Sequence, residues 1–290
     1  MKTINELIAE RTASGALRRR IAAEDNVIAV YKAHPKLASL DADLLEIRKS
    51  KLIAAVDHDD KPLPALEVRE KQLREEREQY IKDNNIDPDF EEEKTVCEAC
   101  GDTGYSKTKD GRRIVCPSCM SSLLEEAFNE AGMSDYSSYA IKTFAFDHFG
   151  EAKARKAKFM AVKSLFEDEG RKGVAVYADR SQSGKTYLTV VAVKYAIIEA
   201  KSAYYAKAEQ FEDMSYEKLE ALKSCSFVAI DDYSAESTYS RRVASSLNSL
   251  LEARCANGLP TLIVSTSPFE DLVAGSDARI SGKIVNAERI

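Results

Sequence analysis

The 290-residue sequence contains no run of about 18 apolar residues, the length a helix needs to cross a bilayer, so no membrane span is expected. The N-terminal MKTINELIAERTASGALRRR has no apolar signal core, and a cytoplasmic location is expected. Positive charge is also in deficit. Lysines and arginines number 42 against 48 aspartates and glutamates, giving a net charge of -6. That excludes a surface coated in basic charge for duplex DNA, while leaving room for a local basic groove. Histidine is scarce, and His34, His58 and His148 have no ligand-like spacing. Six cysteines are present, but a reducing compartment argues against disulfides.

What is present changes character along the chain. Residues 1–90 are rich in Glu, Lys, Arg, Leu and Ala, with apolar residues at helical spacing: Ile4, Leu7 and Ile8, then Val27, Ile28, Val30 and Tyr31, then Leu44, Leu45, Leu52 and Ile53. Pro35 and the stretch 57–64 interrupt the pattern, which predicts three or four helices. Residues 65–83 leave only a thin seam at Leu66, Leu73 and Tyr80. Such a segment suits a helical hairpin, a partner-binding helix, or a solvated helix packed on one side. A helix is predicted over 121–131, and 139–150 reads as a linker. From about 151 onward, apolar runs at 174–178, 203–206, 227–230 and 261–264 alternate with helical stretches, which implies a parallel sheet covered on both faces.

Cys97-x-x-Cys100 and Cys116-x-x-Cys119 are separated by fifteen residues. Each pair forms a knuckle that can aim two thiolates at one ion, and glycines at 101, 104 and 111 suit a turning ribbon between them. Four thiolates favour a structural, tetrahedral Zn2+ with no open position. A redox pair, inert thiols and an iron–sulfur cluster are the alternatives. Cys225 and Cys255 sit alone beside apolar runs and read as buried thiols.

The stretch YADRSQSGKTYL, residues 177–188, holds Gly184, Lys185 and Thr186 between an apolar run and a predicted helix. A phosphate-binding loop sits at that junction, because the helix start offers free N–H groups and a positive dipole end. Lys185 would reach the β- and γ-phosphates of ATP and Thr186 would ligate Mg2+, with Ser183 and Tyr187 flanking them. The run SFVAIDDYS ends in an acidic pair: Asp231 would hold magnesium and Asp232 would orient the attacking water. TLIVSTS ends in polar residues, and its Thr266 would lie near the γ-phosphate or simply cap the element before Pro268.

CEACGDTGY with CPSC, then SGKTYL, FVAIDDYS, LPTLIVSTS and ARISGKI resemble, in order, the AAA+ helicase loaders of the DnaC/DnaI type and the related IstB-like ATPases. The match spans nearly all of the chain from Cys97 onward and is nearest to the branch with an N-terminal zinc-binding region. The resemblance implies an α/β fold, a P-loop AAA+ core with a parallel sheet between helices, behind a helical region and a small zinc knuckle. The expected division is 1–90 for partner binding, 91–135 for the zinc module and 136–290 for the ATPase core. The implied partners are a hexameric replicative DNA helicase and single-stranded DNA, with self-association through the core.

Departures from the family pattern bear on activity. The family loop reads like GPTGTGKT, and here Asp179 and Gln182 replace two of its glycines. Asp179 brings negative charge near a polyanion, and Arg180 is placed to offset it. The sensor position, often Asn, is Thr266. In ARISGKI, Arg279 matches the first of two family arginines, and the second, which reaches a neighbouring subunit's nucleotide, is Lys283. Lysine keeps the charge without the planar fork, so ATP binding with weak hydrolysis is expected. The final strand of the core is expected to be short or missing. The alternatives are a non-hydrolysing adaptor on an AAA+ fold and an IstB-like transposition-helper ATPase. Arg241 and Arg242 are candidate DNA contacts or part of a solvated face.

Overall fold

The computed structural model describes residues 2–58, 60–146, 152–168, 173–234, 239–276 and 278–290, without the side chains of 278 and 279. They form two compact units, 13–96 and a second made of 1–12 with 97–290. No described helix is long and apolar enough to cross a membrane.

Residues 13–96 are helical, as their 3.6-residue periodicity dictates: most of α1 (Ile4–Ala33), then α2 (Pro35–Val56) and α3 (Leu63–Asp83). Pro35 opens α2, where its missing N–H costs no hydrogen bond. Leu40, Leu44 and Ile47 of α2 pack on Leu73 of α3, with Leu66 and Tyr80 half-buried beside them. The predicted seam of α3 is therefore its packing face. Lys51 donates to Glu70 at 2.6 Å across the pair, and Arg77 bridges Asp41 and Glu91.

In the second unit, the two cysteine knuckles flank a small antiparallel hairpin, β1 (Tyr105–Lys107) and β2 (Arg113–Val115). After α4 (Ser121–Phe128) the helix ends in one wide turn, 129–133, in which Gly132 takes φ 84. The predicted helix over 121–131 stops there. The rest is the expected alternation: α5 (Ala152–Glu167), β3 (Val174–Ala178), α6 (Lys185–Ile198), β4 (Ala203–Lys207), α7 (Tyr216–Ser224), β5 (Phe227–Asp231), α8 (Arg241–Ala256), β6 (Thr261–Ser265), α9 (Phe269–Gly275), α10 (Ala278–Val285) and β7 (Glu288–Arg289). The strands form one parallel sheet in the order β4-β5-β6-β3-β7. The short final strand is two residues long and pairs with Ala175 and Val176.

VAVYA, FVAID and TLIVS read as continuous apolar runs because helices cover both faces of these strands. A buried guanidinium ties the end of the sheet remote from the site. Arg254 donates to the carbonyls of Leu222, Cys225 and Pro260 and to the Thr261 hydroxyl. Burial pushes its pKa down to about 10. The cysteine module belongs to the same unit as the sheet. Tyr105 donates to Asn5, whose amide in turn donates to the Ala200 carbonyl, and Arg112 pairs with Glu199 at 3.0 Å.

Residues 136–139, at the start of the segment read as a linker, are held on α6. Lys194 of α6 is buried, and its ammonium donates to the carbonyls of Tyr136, Ser137 and Tyr139. A charged group out of water needs such acceptors, and these three fix the segment on α6.

Candidate nucleotide site and cysteine cluster

All strands of the large sheet run parallel, so the loops that follow β3, β4, β5 and β6 emerge on one edge. The residues after β3 make a tight turn into α6. Gly184 takes φ 87 and caps the helix without a side-chain hydrogen bond. The N–H groups of the first helical turn thus meet no capping side chain and are open to an anion. A Cβ on Gly184 would sit 2.8 Å from the Phe144 ring, so this glycine is required twice, by its φ and by Phe144. Gln182 also adopts a left-handed φ of 60, at the position where the resemblance expects glycine. A side chain in that conformation costs about 1 kcal/mol.

Lys185 is buried and folded back on its own loop. Its ammonium donates to the carbonyls of Asp179 and Arg180, both at 2.7 Å, and lies 3.4 Å from Ser183 Oγ. Burial pushes its pKa down, against the charges of Asp179, Asp231 and Asp232, which converge on it from two strand ends. Asp231 is buried at the end of β5. Its Oδ2 accepts from the Tyr205 hydroxyl at 2.8 Å and its Oδ1 from the Asp232 N–H at 2.8 Å. Tyr136 extends this chain, with its hydroxyl 3.3 Å from that of Tyr205. Burial and the Asp231 charge raise the Tyr205 pKa, which keeps it a donor. Asp232 turns out of the strand at φ 52 and pairs with Lys207 at 2.9 Å.

The other predicted residues fall as follows. Thr186 is half-buried in the first turn of α6. The Tyr187 ring stacks on Tyr139 with centroids 4.1 Å apart, and its hydroxyl donates to the Ala140 carbonyl. It therefore holds the segment that carries Phe144. Thr266 is exposed just past β6 and lines a pocket of about 540 Å³ with Asp179, Arg180 and Arg289. Lys283 is half-buried on α10, where its charge acts on Cys255 of α8. The side chain of Arg279 lies outside the described residues. Arg241 and Arg242 are exposed in the first turn of α8, after the Ser240 cap. Lys158, Tyr205 and Lys207 touch the acidic residues of the site, yet no local motif marks them.

The four knuckle cysteines come together. Their Sγ atoms all lie within 4.8 Å of one another. Cys97 and Cys116 are 3.9 Å apart, and Cys100 and Cys119 are 3.6 Å apart. A tetrahedral ion with Zn–S bonds of about 2.3 Å separates its sulfurs by about 3.8 Å, so the cluster is compatible with one such ion. The Asp102 carboxylate accepts from the Cys97 N–H and fixes the first knuckle.

No protein-family model matches the chain, and no curated protein matches it significantly. Solved structures that it resembles include the DnaC helicase loader, with TM-score 0.43–0.44 for this and the next two, 14% identity, and 53% of this chain against 97% of that one. DnaI shares 20% identity over 52% of this chain and 89% of that one. AMPPCP-bound DnaA from Aquifex aeolicus shares 16% identity over 51% of this chain. The chain spans about half the length of the replication initiators that it matches.

Proposed function

We propose that the chain is a helicase loader of the DnaC/DnaI type, acting in DNA replication through an ATP-binding AAA+ core. The observation that carries this reading is the convergence of Lys185, Asp231 and Asp232 at one sheet edge, within the unit that also holds a four-cysteine cluster. The ordered motifs from Cys97 onward support the loader assignment.

In this reading the N–H groups at the start of α6 and the Lys185 ammonium bind the phosphates. Lys185 must first leave the carbonyls of Asp179 and Arg180, so binding opens the loop. Thr186 and Asp231 would hold magnesium, which supplies positive charge to the phosphate oxygens. Tyr205 and the Asp232 N–H hold Asp231 in place. Asp232 orients water only when it is released from Lys207, and Thr266 approaches from the end of β6. Arg279 contributes to nucleotide binding, and Lys283, at the second family position, acts toward the nucleotide of a neighbouring copy. These restraints favour binding over fast hydrolysis. The cysteine cluster holds zinc, the helical region 1–90 binds the hexameric helicase, and Arg241 and Arg242 are candidate contacts for single-stranded DNA.

Isolating the intact protein from its native host with its bound partners tests this reading. The expected companion is a hexameric replicative helicase. Recovery with a transposase and duplex DNA instead would favour the transposition-helper alternative and reject the loader.

A further inference from the structure

Asp179 occupies a position where a glycine would leave the loop bare, and each of its polar atoms is engaged. Its Oδ2 accepts from the Lys158 ammonium at 2.7 Å, and its Oδ1 accepts from the Arg180 N–H at 2.8 Å. Its N–H donates to the Ser265 carbonyl at 3.2 Å, and its own carbonyl accepts from Lys185. Lys158 comes from α5, the helix before β3, and lies 5.2 Å from the Tyr177 ring centroid. The side chains of Lys158 and Asp179 are 31% and 26% exposed, so water screens the pair only in part. Burial works to raise the Asp179 pKa. The Lys158 hydrogen bond, the Arg180 N–H and the nearby lysine charges outweigh it, and the carboxyl stays below the ordinary aspartate range. At neutral pH it is a full negative charge beside the phosphate lysine.

We propose that Lys158 determines nucleotide affinity in this chain, as the counter-ion that neutralises Asp179 and makes a glycine-poor loop usable for a nucleoside triphosphate. The proposal rests on the reading of 179–186 as a nucleotide site. Without Lys158, Asp179 loses its ion-pair partner and faces the phosphates with less compensation, while without Asp179 the Lys158 charge is free to attract them. The two residues are therefore coupled with opposite signs, whereas a residue that only supports the fold would give losses that add.

The test is calorimetric titration of the intact protein with MgATP, for wild type, Lys158→Met, Lys158→Arg, Asp179→Asn and the double variant Lys158→Met/Asp179→Asn. Circular dichroism confirms that each is folded. The expected result is about tenfold weaker binding for Lys158→Met, equivalent to about 1.4 kcal/mol. Lys158→Arg stays near wild type, Asp179→Asn binds several-fold tighter, and the double variant returns to wild type within about threefold. Raising the salt concentration shrinks these differences. Equal affinity for Lys158→Met and wild type overturns the proposal, and so does a double variant as weak as Lys158→Met. A folded wild type that binds no MgATP rejects the nucleotide reading itself, and the proposal with it.

Discussion

Gly132 lies where the chain leaves the cysteine module and crosses the edge strand β4. It takes φ 84, and a Cβ built there would sit 2.2 Å from the backbone carbonyl oxygen of Tyr205 and 3.3 Å from the Tyr204 ring. Gly111, in the turn between β1 and β2, has almost the same φ, 83, but open space around it. Gly132→Ala and Gly111→Ala thus share the backbone penalty and differ in the clash. The left-handed conformation costs alanine about 1 kcal/mol. Overlap with a backbone atom that cannot swing away adds about 1–3 kcal/mol. The expected destabilisation is about 1 kcal/mol for Gly111→Ala and about 2–4 kcal/mol for Gly132→Ala. For a unit of this size, 1 kcal/mol lowers Tm by about 2–4 °C. Thermal unfolding followed by circular dichroism should show a drop of about 5–15 °C for Gly132→Ala, at least twice that for Gly111→Ala. Equal shifts would refute the close approach of Gly132 to β4. The consequence extends to the site, because Tyr205 also holds Asp231.

The cysteine cluster predicts one zinc ion per chain by elemental analysis, removed by a strong chelator with loss of thermal stability; Cys116→Ser should abolish stoichiometric zinc. Glu70 predicts a pH dependence in the helical unit. Hydrogen bonds from Lys51 and then Arg74 lower its pKa to about 2. Its contribution is therefore present above the ordinary glutamate pKa of about 4.3 and fades as pH falls from there towards about 2. Glu70→Gln should lose stability at pH 7 and match wild type near pH 2, measured by helical ellipticity across that window.

Much of the sheet was legible in the sequence because apolar runs in buried parallel strands are continuous and the helices between them are periodic. The run at 174–178 is β3 to the residue, and Ser240 sets the start of α8 by accepting from the Val243 N–H. The places of Lys185 at a helix start and Asp231 at a strand end were legible because an apolar run and a periodic stretch flank them. Lys158 and Asp179 are 21 residues apart, and Tyr205 and Asp231 are 26 apart. Such pairs form only when the sheet assembles, and they leave no periodic trace. Lys194 reads locally as one more helix lysine. Its role as the clamp of 136–139 depends on burial, which the sequence of α6 alone does not reveal.

Whether the loop 179–186 binds nucleotide despite Asp179 and Gln182 is decided by titrating the intact protein with MgATP beside Lys185→Ala. Wild type should bind saturably, and Lys185→Ala should bind at least tenfold more weakly, since a charge-assisted contact to phosphate is worth about 1.5–3 kcal/mol. Equally poor binding by both proteins would contradict the account and leave an adaptor that uses the fold only as a platform.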